Sequence, residues 1–292
     1  MRGLIAGATI LLGVANVTFA QISTITFSSN ADYDNATPNV LGVFRDIGPT
    51  LRQQEINRGL DLGGTGHTAL NFVGTAGPAG SNSVTLYDTD PTTAAPNNIF
   101  SGNFSLSGDV LFKEFNNTKQ GGFVFLYNEG FPTNSGLALM LSDAGNTDNN
   151  VLSIADMSGP AMTTLVSTSL NGGIGELKWF RLTMDMTVIS PGTFVINGKV
   201  FGHSTVTDPG SALTAQIGPT LMYTNTFAAL GIQSSGEIGL AMREIQQSAP
   251  NTNMVSITNF SEVPEPASMT LVALTLCGVA GLVVVARRRK SA

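Results

Sequence analysis

The chain has 292 residues, of which 12% are charged and 42% hydrophobic, with a formal net charge of −6, two histidines and one cysteine, Cys277. Residues 21–263 hold 9 of the 14 Lys/Arg and 19 of the 20 Asp/Glu, a net charge of −10, which argues against nucleic acid and anionic lipid as partners. The lone cysteine excludes a disulfide scaffold, the two histidines argue against zinc, and about 240 residues bury a core without staples.

In chain order, Met1-Arg2 is a short positive start, residues 4–14 are apolar, and Thr18 and Ala20 are small residues suited to a cut after Ala20. The expectation is a signal peptide over 1–20. Strand-like runs then recur at 24–27, 68–73, 83–87, 104–112, 122–127, 136–141, 151–154, 163–167, 178–188, 193–201, 237–243 and 254–260, separated by Gly, Asn, Ser and Pro. No linker divides them. One all-β domain over 21–263, with about twelve strands in two packed sheets, is expected. Residues 51–60 read as a helical turn or an irregular strand, and 214–230 stay unassigned.

The clearest run alternates with period two. Phe180, Leu182, Met184, Met186 and Val188 share one face, and Trp179, Arg181, Thr183, Asp185 and Thr187 the other. Residues 189–192 are expected to form a four-residue loop to a second strand over 193–201.

Chemical motifs are few. No Glu is followed two residues later by Asp, and Glu237 and Glu244 fall on opposite strand faces, so a paired-carboxylate glycosidase lacks its pattern. His67 lies near Asp61, and His203 precedes Asp208 by five residues; each pairing suits a base and its orienter, or a plain turn. Gly63-Gly64-Thr65-Gly66 lacks the lysine of a phosphate loop and reads as a tight turn into a strand. Trp179, Arg181 and Asp185 share a face suited to stacking and hydrogen bonding a sugar, and equally to a tryptophan buried at the sheet edge. Asp143, Asn146, Asp148 and Asn150 offer oxygens for a calcium ion, or the local bonds of an Asx-rich turn.

Val263-Pro264-Glu265-Pro266 is followed by an uncharged stretch over 267–286 and then by Arg287-Arg288-Arg289-Lys290. About twenty apolar residues span a bilayer core as a helix, with the basic cluster on the cytoplasmic side. The tripeptide, span and basic cluster, in this order over 264–292, resemble the PEP-CTERM sorting signal. That resemblance implies an exported protein, held at the inner membrane as a precursor, processed by an exosortase-type enzyme and released to the cell surface.

A second resemblance rests on Trp179-Phe180-Arg181-Leu182-Thr183-Met184-Asp185 and Phe194-Val195-Ile196-Asn197-Gly198-Lys199-Val200. This hairpin is similar to that of concanavalin A-like and laminin-G-like jelly rolls, with Asn197-Gly198 as a turn. It implies a two-sheet jelly roll and calcium in acidic loops. The expected function is a non-catalytic domain that binds or builds extracellular polysaccharide of a biofilm matrix. A purely structural envelope interaction protein and a glycan-acting hydrolase stand as alternatives.

Overall fold

A computed structural model describes residues 24–29, 31–33, 44–46, 54–74, 82–87, 99–113, 119–131, 133–143, 150–158, 162–170, 174–244 and 254–263. The strands are β1 (Phe44–Asp46), β2 (Gln54–Leu60), β3 (Thr68–Gly74), β4 (Asn82–Tyr87), β5 (Phe100–Ser101), β6 (Phe104–Phe112), β7 (Lys119–Phe131), β8 (Thr133–Asp143), β9 (Val151–Asp156), β10 (Thr163–Ser169), β11 (Trp179–Ser190), β12 (Thr193–His203), β13 (Leu213–Thr226), β14 (Ser235–Glu244) and β15 (Met254–Val263). A four-residue helix, α1 (Phe227–Leu230), follows β13. One antiparallel sheet runs β1-β4-β14-β7-β8-β9-β10, with β5 also on β14; the other runs β13-β12-β11-β6-β15-β3-β2.

Alternation sets the layers. In β11, Phe180, Leu182, Met184 and Met186 are buried, whereas Arg181, Thr183, Asp185 and Thr187 are half-exposed. The buried set joins Phe123, Leu139, Leu141, Ile154 and Leu240 of the opposite sheet in the main core. Each such side chain contributes about 1.5–3 kcal/mol on leaving water. Gly198 lets β12 approach that sheet: a Cβ there would lie 2.8 Å from Leu139 Cδ1. Asn197-Gly198 is therefore the middle of a strand and not a turn. The β11–β12 connection is the two residues Pro191-Gly192, tighter than the expected four. Ser190 pairs with Thr193, and Gly192 takes φ +84°, the conformation that follows proline in a type II turn.

The described strands number fifteen against the expected twelve. Residues 54–60 pair with β3 along their whole length, so the stretch is a strand and not a helix. A helix there would bury little, because Ile56 is its one buried apolar side chain. β13 fills most of the unassigned 214–230.

The transmembrane element is corrected. Among the described residues no helix is long and apolar enough to cross a membrane. The helix α1, at four residues, rises about 6 Å against a bilayer core of about 30 Å. The span expected over 267–286 lies outside the described residues, and no described helix supplies the membrane anchor on which the membrane-held precursor, the exosortase-type partner and the surface address rest. The signal peptide 1–20, Pro264, Glu265, Pro266, Arg287, Arg288 and Arg289 lie outside the described residues, and Val263 ends β15.

Candidate ligand-binding site

The outward face of the sheet containing β11 carries polar side chains in register. One row across it is Phe201, Arg181, Asp109 and Thr258; the next is Lys199, Thr183, Ser107 and Ser261; the third begins Asn197, Asp185 and Ser105. Neighbouring strands lie about 4.8 Å apart, so these rows are regular. Ser107 and Ser261 hydroxyls meet at 2.8 Å, Ser105 Oγ donates to Asp185 at 2.7 Å, and Lys199 Nζ lies 3.8 Å from Asp185.

Two loops cross the other end of this face. The first, 61–67, is built round Asp61, whose carboxylate accepts the backbone N–H groups of Thr65 and His67 at 3.0 and 2.9 Å. Gly64 and Gly66 sit at positive φ within it, so the glycine-rich segment is a carboxylate-centred turn. Thr65 Oγ accepts the Trp179 indole N–H at 3.0 Å, and the ring packs with Ala69 and Leu111, wholly buried. The second loop, 204–212, follows β12. Its Val206 carbonyl accepts the Trp179 backbone N–H at 2.8 Å.

Under the second loop lies a polar knot. Asp109 is enclosed and accepts from four donors: Arg181 Nε at 2.6 Å and His203 Nε2 at 2.8 Å on Oδ1, Arg181 Nη2 at 2.8 Å and Asn259 Nδ2 at 2.7 Å on Oδ2. Asn259 reaches it because β15 bulges between Thr258 and Ser261 and Asn259 takes φ 50°. Asparagine tolerates that left-handed conformation, and a bulge re-aims a side chain. Burial pulls the His203 imidazole down, but the Asp109 hydrogen bond and charge with the Ser211 carbonyl outweigh it, so its pKa lies above the ordinary value of 6.5.

Between the two loops opens a cleft of about 260 Å³, lined by Thr26, His67, Thr68, Asp208, Pro209, Gly210, Thr258 and Asn259. His67 Nε2 lies 3.7 Å from Asp208 Oδ1 at half-exposed positions, and Asp208 Oδ1 accepts the Gly210 N–H at 2.8 Å. The second amide hydrogen of Asn259 goes toward the Pro209 carbonyl at 3.3 Å. The cleft thus offers an imidazole, a carboxylate, an amide and hydroxyls, with Asp208 and Asn259 held from behind by backbone and side-chain bonds.

The residues singled out from sequence fall as follows. Arg181 and Asp185 lie on the outward face as expected from alternation, but Trp179 is buried beneath Thr65 and offers no stacking surface. Both histidine rings meet other acids: His67 faces Asp208 while Asp61 takes its backbone N–H, and His203 bonds Asp109, not Asp208. Asn150 is buried and donates to the Ile174 carbonyl at 3.2 Å. Asn146, Asp148 and the Asp143 side chain lie outside the described residues. Among the described residues no group of three His, Cys, Asp or Glu is placed to hold a metal ion. Asp109 and Asn259 were missed. Period two puts Ser105, Ser107 and Asp109 on the outward face of 104–112, which was the available signal.

No family model matches the chain, and no curated protein matches it. Among solved structures the chain is similar to a carbohydrate-binding module, CBM66, from Bacillus subtilis, at 10% identity over 76% of this chain and 96% of that one, TM-score 0.40. It is similar to the CBM2 module of an evolved Dit protein of Lactobacillus casei BL23 phage J-1, at 12% over 84% and 97%, TM-score 0.44. It is also similar to a seed lectin of Lotus tetragonolobus, at 10% over 76% and 93%, TM-score 0.42. These likenesses all have TM-scores under 0.5, and the two-sheet antiparallel β-sandwich stands on the strand order itself.

Proposed function

We propose that this chain is a non-catalytic glycan-binding protein whose ligand is a polysaccharide, held in the cleft between loops 61–67 and 204–212. The observation that carries the reading is Asn259, fixed at φ 50° by a bulge and tied through its amide to Asp109 and Pro209. Both amide hydrogens are engaged, so Oδ1 remains as an acceptor on a residue that lines the cleft together with Asp208 and His67. Polar groups fixed before the ligand arrives lose little freedom on binding, which favours affinity for a hydroxyl-rich ligand. The adjoining rows of Lys199, Thr183 and Ser107 extend the same polar face for further sugar units.

A paired-carboxylate hydrolase gains no support from this geometry. Such enzymes need two accessible carboxyl groups; Asp208 is the one carboxylate on the described cleft lining, and Asp109 is enclosed by its four donors. Affinity electrophoresis through gels containing glucan, alginate or chitin derivatives, with a glycan array, tests the reading. Retention is expected on at least one polymer, weakened about tenfold or more by Asn259→Ala and Asp208→Asn, the loss of about 1.4 kcal/mol each. Absence of retention on every polymer overturns the reading in favour of a purely structural interaction protein.

A further inference from the structure

We propose that His203, as an imidazolium, latches loop 204–212 onto the sheet and so makes the cleft wall a pH-dependent element, closed in acid and released in base. The inference rests on the glycan reading only for what the cleft holds. Both ring nitrogens face acceptors: Nε2 the Asp109 carboxylate at 2.8 Å and Nδ1 the Ser211 carbonyl at 3.2 Å. A carbonyl and a carboxylate cannot donate. A neutral ring has one N–H, and would set a lone pair against one of the two acceptors; only the doubly protonated ring donates to both.

Ser211 is the hub of the loop. Its hydroxyl accepts the Thr205 N–H at 3.1 Å and has its one hydrogen within reach of the Asp208 carbonyl at 2.8 Å and the Thr205 carbonyl at 3.2 Å. Its N–H bonds the Asp208 carbonyl, and Asp208 N–H the Thr205 carbonyl. The loop therefore moves as one body. Three contacts hold it to the sheet: His203 to Ser211, Asn259 to Pro209, and Trp179 N–H to Val206. The first two come from side chains that also donate to Asp109. Loss of the His203 proton removes one contact and a charge that Asp109 holds.

Two charged groups surround His203. Asp109 approaches from β6 and favours the proton. Arg181 approaches from β11 and opposes it, while sharing Asp109. His67 and Asp208 face each other across the cleft and form a second His–Asp pair, which the experiment must separate.

The test uses the full chain without glycan. With two histidines in the sequence, His67→Gln leaves one imidazole to follow by ¹⁵N NMR. Both His203 ring nitrogens are expected to be protonated at neutral pH and to titrate above the ordinary histidine value. Hydrogen exchange at the Trp179 backbone N–H, whose acceptor is the Val206 carbonyl of the loop, corrected for intrinsic rates, should lose protection by up to about tenfold per pH unit above that point. His203→Gln should flatten this dependence; if that variant does not fold, the wild-type ring signals decide alone. A neutral His203 with one fixed tautomer at neutral pH, or that protection flat from acid to base, overturns the latch. pH-dependent protection without polysaccharide retention would leave the latch standing and remove the glycan reading. Retention with a neutral His203 would do the reverse.

Discussion

Asp109 and His203 meet at 2.8 Å with no part of either side chain exposed, and 94 positions separate them in sequence. Arg181 completes the pair from the strand between them. A carboxylate taken from water costs several kcal/mol and is tolerated only when donors replace the lost hydration. Here four donors do so. Asp109→Ala leaves Arg181 and His203 facing each other without their shared anion, and is expected to cost about 3–5 kcal/mol in a denaturant titration. Asp185→Ala, at a half-exposed pair with Lys199, should cost about 0–1 kcal/mol.

The same pair sets a pH dependence of stability. The folded pKa of His203 is raised, so the folded state holds its proton more tightly than the unfolded chain. That stabilisation is fully present below 6.5, the ordinary value, and is lost as pH rises through the folded pKa. Urea midpoints are expected to fall between pH 6 and pH 9, and His203→Gln should remove that part of the fall.

Leu182 and Thr183 are adjacent on β11 and point opposite ways, one buried and one half-exposed. Leu182→Ala is expected to cost about 2–5 kcal/mol through lost burial and the cavity left behind. Thr183→Ala should cost less than about 1 kcal/mol, the range of surface changes away from special contacts. Chemical unfolding of both variants checks the facing of the strand.

Trp179 is the one tryptophan in the chain, and Thr65 is the partner of its indole N–H. Thr65→Val keeps the shape and leaves a buried donor unmet, at an expected cost of about 1–3 kcal/mol. The emission of Trp179 should be blue-shifted in the native protein, move to the red on unfolding, and report on loop 61–67, whose last residue lines the cleft.

Legibility in the sequence followed burial pattern. β11 was plain because every second residue meets the core. β13 was not: it is an edge strand with Leu213 and Met222 exposed and Leu221 its one buried residue, so it carries no alternation. β2 buries too little apolar surface to separate strand from helix. The outward placement of Arg181 and Asp185 was readable, whereas the knot was not. Its members Asp109, Arg181, His203 and Asn259 come from four strands, and Asn259 lies 150 positions from Asp109. The bulge that aims Asn259 breaks the period on which a strand reading depends, and the acids near each histidine in sequence are not the ones their rings meet. The family resemblance carried by the β11–β12 hairpin suited the sandwich but misread Asn197-Gly198, since a close approach between sheets demands glycine as much as a turn does.

The last of the described strands lies inside its sheet. β15 sits between β6 and β3, and Phe260 closes a bridge to Ile25 near the start of the described chain. During synthesis β3 and β6 emerge long before β15, so each must wait with an unpaired edge until residue 263 has left the ribosome. Long-range pairing of this kind is slow, and open edges invite other strands. A nascent chain halted before β15 would hold two hydrophobic half-sheets with no seam to join them. Partial chains of this protein are therefore expected to need chaperone cover in a way that the finished sandwich does not.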